Sequence, residues 1–329
     1  MINKITHLNP KLFDQDVELK SPREGFGQAL VELGEKDENV IVVCADLVRS
    51  IKLKDFQEKF PDRLVEVGVA EQNLTAVSSG IASTGKTVFA CSYAVFSPGR
   101  NWEQIRTTIC INNQPVKLVG SHAGITVGPD GATHQALEDI ALMRVLPNMV
   151  VISPCDSLEV KKATLAMAKL NKPCYLRFPR VDMATITTED SPFEIGKAEI
   201  FNEGKDVTII VTGLMVYQAL LAAKQLKESN ISVRVINVHT IKPLDSKLIL
   251  KAAEETGAIV TVEDHQTMGG LGSAVSELIS QNFPVPVKII GIDDKFGESG
   301  TPEELLEKYG LTVENIVKNV MIVLRMKGK

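Results

Sequence analysis

The chain has 329 residues, of which 44% are hydrophobic and 23% charged, with a formal net charge of −5. This is ordinary globular composition with material for two cores, and its acidic balance speaks against a nucleic-acid partner or an anionic membrane surface. No run approaches the ~18 apolar residues of a membrane span, and the opening MINKITHLNPKLFDQD has no apolar signal core, which points to a cytoplasmic protein. The five cysteines, Cys44, Cys91, Cys110, Cys155 and Cys174, show no CxxC spacing and sit mostly in apolar runs, as buried reduced thiols do.

Apolar runs of strand length alternate with helical patterns along the whole chain, the signature of α/β folds with mostly parallel sheets. In order, the pattern predicts a helix over 25–34, strands over 40–46 and 64–68, and a small-residue helix over 71–83 stopped by Gly85. A strand over 86–91, a helix over 101–111 and a strand over 116–121 lead into a glycine-rich loop, 123–133. Helices over 134–143 and 158–170 then alternate with strands over 149–154 and 174–179. The stretch 180–200 is polar, threonine-rich and without helical period, and reads as a linker. Beyond it a second alternation starts at DVTIIVTG and ends in two helices after Pro302. The expectation is two doubly wound α/β domains, 1–186 and 201–329, joined by 187–200.

Open parallel sheets bind ligands at the carboxyl ends of their strands. Four such segments of the first domain are rich in chemistry: 46–50, 68–73, 92–96 and 121–134. Glu71 follows a strand and opens a helix of Ala, Ser and Gly, whose close packing would bury its carboxyl. On position alone a first-turn glutamate is equally a partner of the helix dipole, and Asp46 after a strand is equally a helix cap. Tyr93 and Phe96, also after a strand, could be simple core. His122 and His134 lie twelve residues apart, but no cysteine or third histidine stands near to complete a metal site. In the second domain only 263–272 meets the same test, and its glycines lack the full G-x-G-x-x-G dinucleotide pattern.

GVAEQN (68–73) is similar to the segment of transketolases and deoxyxylulose-phosphate synthases that carries their cofactor-activating glutamate. GSHAGITVGPDGATHQALEDIALMR (120–144) resembles the transketolase substrate loop through its H-x-G-x-x-x-G-x-D-G-x-T-H-Q spacing. The order of segments resembles the pyrimidine-binding domain of that family followed by its C-terminal domain.

The resemblance implies thiamine diphosphate, with Glu71 hydrogen-bonded to aminopyrimidine N1′ so that the cofactor can lose its thiazolium C2 proton. It implies Tyr93 and Phe96 as the aromatic wall of the pyrimidine, and Asp46 and Leu47 of ADLVRS (45–50) beside the cofactor. A third aromatic common in the family is replaced here by Ser97, Pro98 and Gly99. For the substrate it implies His134 near the C1 hydroxyl in a proton-transfer role, His122 at the C3 hydroxyl and Asp130 at a hydroxyl further along. Arg23, Ser50 and Arg177 then match the clamp on the sugar phosphate.

The family's G-D-G…Asn motif, which holds the diphosphate through Mg²⁺, is missing; the nearest match is Gly128–Pro129–Asp130–Gly131 in the substrate loop. The resemblance therefore implies a partner chain, an N-terminal transketolase subunit carrying the Mg²⁺–diphosphate domain, in an α₂β₂ heterotetramer acting on sugar phosphates. The C-terminal domain would then serve structure and assembly. The rival readings are the β subunit of a 2-oxo-acid dehydrogenase, disfavoured by the T-H-Q loop, and a non-catalytic paralogue, disfavoured by Glu71 and His134.

Overall fold

The computed structural model describes residues 1–328. In chain order the first unit runs β1 (Leu19–Lys20), α1 (Pro22–Lys36), β2 (Val40–Cys44), α2 (Lys54–Lys59), β3 (Leu64–Glu66), α3 (Glu71–Ser83) and β4 (Thr87–Tyr93). It continues with α4 (Trp102–Gln104), β5 (Lys117–Ser121), α5 (Asp139–Arg144), β6 (Val150–Ile152), α6 (Ser157–Ala168), β7 (Cys174–Arg177) and β8 (Met183–Ala184). The second unit runs β9 (Glu199–Asn202), β10 (Val207–Val211), α7 (Met215–Glu228), β11 (Val233–Asn237), β12 (Thr240–Lys242) and α8 (Ser246–Thr256). β13 (Ile259–Gln266), α9 (Leu271–Asn282), β14 (Val287–Ile292), α10 (Pro302–Lys308) and α11 (Val313–Lys327) complete it.

The sheets have strand orders β12-β6-β7-β5-β4-β2-β3 and β14-β13-β10-β11-β9. Every pairing within them is parallel except the antiparallel edge strands β12 and β9. Helices cover both faces, so strands such as β5 and β10 are buried along their whole length and read as continuous apolar runs. In the first sheet Val42, Cys44 and Phe89 pack with Phe26 and Val160 on one face, while Val43, Val88 and Ala90 pack with Leu74 and Ile109 on the other. All five cysteines are free and buried, and burial pushes the Cys44 thiol up to about 12. Among the described residues no helix is long and apolar enough to cross a membrane.

The structure departs from the sequence pattern in four places. The expected helix over 134–143 begins only at Asp139; before it, Ala136 bridges Ala123 in parallel and accepts from Gly124 N–H, which holds the chain extended. The expected helix over 101–111 opens as α4 and winds as a π-helix over Ile105–Cys110. The 187–200 linker ends inside β9, and Ile2 forms a bridge to Asn202 there, so the N-terminus packs on the second unit. Most consequentially, β12 leaves the second unit and adds to the edge of the first sheet. The two units are thus knitted by backbone pairing.

A buried acidic pair sits where α6 begins. Asp156 caps α6 through Glu159 N–H and also accepts from Ile186 and Thr187. Glu159 accepts from Cys155 N–H and from Asn237 of β11. Burial and the Asp156 charge push the Glu159 carboxyl up to about 8. The folded chain then keeps a proton that the unfolded chain has released, so this group lowers stability as pH rises from 4.5 to about 8. Glu159→Gln is expected to remove that loss, gaining about 1–3 kcal/mol over wild type at pH 8 relative to pH 5 in urea unfolding. Parallel pH dependence in the two proteins would show that Glu159 is ionised in the fold.

Candidate active site

Loops at the carboxyl ends of β2, β3, β4 and β5 gather the candidate residues. Glu66, the last residue of β3, accepts three backbone N–H groups, from Asp46 at 2.6 Å, Val67 at 3.1 Å and Gly68 at 3.2 Å. That carboxylate, which the motifs did not single out, holds the β2 and β3 loops together. Asp46 stands in a left-handed turn with φ 60° and an exposed side chain; no helix follows for it to cap. Leu47 is half-buried against the core.

Glu71 is the first residue of α3 and is 4% exposed. Asn101, itself fully buried, donates to Glu71 O, Thr75 Oγ1 and Ser97 Oγ, tying the start of α3 to the turn after β4. The Glu71 carboxylate accepts from Arg100 at 3.1 Å, and the same guanidinium lies over the Phe96 ring at 4.2 Å. The Arg100 side chain is 52% exposed.

Aromatic and imidazole rings form a row. Tyr93 stacks with Phe96 at 6.2 Å between centroids and lies 4.0 Å from the His122 ring, while His134 meets Phe96 edge-on at 5.3 Å. His122 is 3% exposed, takes φ 55°, and shares a hydrogen bond with Ser121 Oγ at 3.0 Å. Burial, and then the charges of Arg23, Arg180 and His134, pull its pKa down to about 3. At neutral pH His122 is therefore an uncharged donor and acceptor. His134, half-buried, shares a 2.9 Å hydrogen bond with Thr133 Oγ1 through Nδ1, which leaves Nε2 for other work.

The structure brings together Glu71, Tyr93, Phe96, His122 and His134, with Arg23 near His122. Arg23 donates to Ser21 Oγ at 3.2 Å and to the Ser50 carbonyl at 3.4 Å, so Arg23 and Ser50 are neighbours. Arg177 is not with them. Its side chain is 5% exposed, paired to Asp139 at 2.8 Å and bonded to the Asp264 carbonyl at 3.1 Å. Breaking a buried pair of this kind costs about 3–5 kcal/mol, which removes Arg177 from the expected phosphate clamp. The arginine on the open side is Arg180, 44% exposed and 3.4 Å from Asp130. The CYLRFPR segment holds both arginines, and they are distinguished by the partners of Arg177, Asp139 at 38 residues and Asp264 at 87 residues along the chain.

A flat, nitrogen-bearing group already lies on Phe96 and Glu71, in the form of Arg100, so these residues fit the aminopyrimidine of thiamine diphosphate. Among the described residues no group of three or more His, Cys, Asp or Glu is placed to hold a metal ion. In the second unit Glu263 accepts from the first N–H groups of α9, and His265 has both ring nitrogens partnered, by Gln266 O and Ala141 N–H. His239 stacks on Phe193, and burial pulls its pKa down to about 4.

A sequence profile described as "Transketolase, pyrimidine binding domain" matches residues 20–185, and one described as "Transketolase, C-terminal domain" matches residues 196–316. A protein of Methanocaldococcus jannaschii named "Putative transketolase C-terminal section" is 47% identical over 305 residues, covering 92% of this chain and 96% of its own. The 6-deoxy-6-sulfo-D-fructose transketolase subunit SqwH of Clostridium sp. (strain MSTE9) is 39% identical over 296 residues, covering 90% and 92%. A solved structure titled "Split gene transketolase, inactive beta4 tetramer" superposes with a TM-score of 0.88 at 44% identity, covering 94% of this chain and 99% of that one. On these matches, and on a fold that carries both domains in that order, the chain belongs to the transketolase family, as a split-type subunit with its pyrimidine-binding and C-terminal domains.

Proposed function

We propose that the chain is the cofactor-activating half of a two-chain, thiamine-diphosphate-dependent transketolase, which moves a two-carbon ketol unit from a ketose phosphate to an aldose phosphate. The observation that carries this reading is the buried Glu71 carboxylate beside the face of Phe96. Bound thiamine diphosphate supplies the nucleophilic carbon for C–C cleavage. Glu71 holds the hydrogen bond to pyrimidine N1′, Phe96 and Tyr93 wall the ring, and Asp46 and Leu47 border the cofactor. His134 moves a proton at the donor hydroxyl, with Nδ1 fixed by Thr133 and Nε2 free. His122, held neutral, hydrogen-bonds a second hydroxyl, and Asp130 a third. Arg23, Ser50 and Arg180 line the phosphate end.

The Mg²⁺ and diphosphate ligands belong to a partner, an N-terminal transketolase subunit, in an α₂β₂ assembly. The near-full-length likeness to proteins named as transketolase subunits and as a split-gene transketolase supports this. Co-expression with a diphosphate-domain chain is expected to yield thiamine-dependent ketol transfer from xylulose 5-phosphate. Turnover of pyruvate in its place would assign the chain to oxo-acid chemistry.

Arg100 has to leave Glu71 before a pyrimidine can take its place. The arginine side is 52% exposed; solvent-exposed pairs contribute about 0.2–1 kcal/mol, and the buried Glu71 end places this one toward the top of that range. Arg100→Gln is therefore expected to tighten thiamine diphosphate binding to the complex about two- to fivefold, measured by calorimetric titration. Weaker binding in the variant would make Arg100 a cofactor contact.

A further inference from the structure

The loop between His122 and His134 is built on three glycines in left-handed backbone conformations. Gly124, Gly128 and Gly131 take φ of 84°, 78° and 75°, a region open to glycine at the cost of high conformational freedom in the unfolded chain. A 3-10 turn over Ile125–Asp130 and the Gly131 N–H to Gly128 O bond order it locally, Ala123 N–H to Phe178 O ties its start to the first domain, and its middle packs on the second domain. Asp264 in β13, 4% exposed, accepts from Ile125 N–H at 3.0 Å. Its carboxylate lies so close to Gly124 that a Cβ there would stand 1.9 Å from Oδ2. Gln135 Nε2 donates to Ile125 O at 3.1 Å, Gly128 O at 3.3 Å and Glu298 O at 2.9 Å, tying both ends of the loop to the segment before α10. Gly128 faces Gly300 and Pro302, Gly131 faces Ser299, and Gly297 packs against Gln135 with no room for a Cβ.

We propose that the second domain is a working part of the substrate site: Asp264 and the 297–302 segment clamp the 122–134 loop, and Asp264 and Gln135 are positioning residues for His122, Asp130 and His134. Sugar selectivity is then set partly by a domain that contributes no side chain to the row of rings. The inference deepens the transketolase reading and rests on it for the identity of the substrate, whereas the clamp itself is a statement about this chain alone.

Two readouts separate the two. Hydrogen–deuterium exchange on the full chain reads the clamp: Asp264→Ala is expected to speed exchange of amides 122–135 at least tenfold and leave β2, β4 and β5 unchanged. In the reconstituted complex the same variant is expected to raise KM for the ketose phosphate donor at least tenfold while thiamine diphosphate affinity stays within twofold. Asp264→Asn, which keeps an oxygen for Ile125 N–H, is expected to restore KM. Unchanged exchange across 122–135 overturns the clamp. Fast exchange with an unchanged donor KM overturns the positioning role, as does equal loss of donor and cofactor binding that Asn does not rescue. A wild-type complex inactive on every ketose phosphate overturns the functional reading, and with it the assignment to sugars. Should Asp264→Ala fail to fold, Gln135→Met, at the other end of the clamp, is held to the same outcomes.

Discussion

Replacing Glu71 by alanine is expected to lower turnover of the two-chain complex by roughly 10²–10⁴-fold, the range of a lost acid–base group, and to weaken thiamine diphosphate binding. The residue is 4% exposed and stands at the first turn of α3, where Asn101 donates to its backbone carbonyl and so fixes the start of the helix that carries the carboxylate. Glu71→Gln keeps the shape and one acceptor oxygen but cannot exchange a proton, so it is expected to retain more binding than turnover. Steady-state kinetics with cofactor titration checks both variants. Turnover near wild type in Glu71→Ala would remove the residue from the mechanism.

His134→Ala carries the second large effect. The imidazole is held from two sides, by Thr133 at Nδ1 and by the Phe96 ring edge, which presents Nε2 to a hydroxyl in a fixed direction. Its loss is expected to reduce kcat by about 10²-fold or more with cofactor affinity unchanged, because Glu71, Tyr93 and Phe96 stay in place. The affinity arm is decisive: a His134→Ala complex that loses cofactor and turnover together would make the residue part of the pocket wall.

Much of this site could be read from sequence because its residues sit in short contiguous motifs. Glu71 opens the helix that GVAEQN announced, and the T-H-Q loop carries both histidines. The family expectation was met by the domain profiles, and the alternating apolar runs anticipated both sheets. What escaped depends on partners far along the chain. Arg177 and Arg180 share one segment, and the distinction between them lies in Asp139 and in Asp264, 87 residues from Arg177. β12 is three residues long and gains its strand character only by pairing with β6. The helical period of 134–143 was real, but at its start the Ala123–Ala136 bridge and the reach of Gln135 to three carbonyls outweighed a single turn of helix. Arg100 beside Glu71 has no motif at all; it follows from the turn after β4.

The central claim is that this chain holds the activating carboxylate and substrate loop, and that a second chain holds the metal and diphosphate. It is tested most directly by ketol transfer measured against the molar ratio of the two chains at saturating thiamine diphosphate and Mg²⁺. The account predicts no transfer by either chain alone and a maximum at a one-to-one ratio. Full activity of this chain by itself would contradict it.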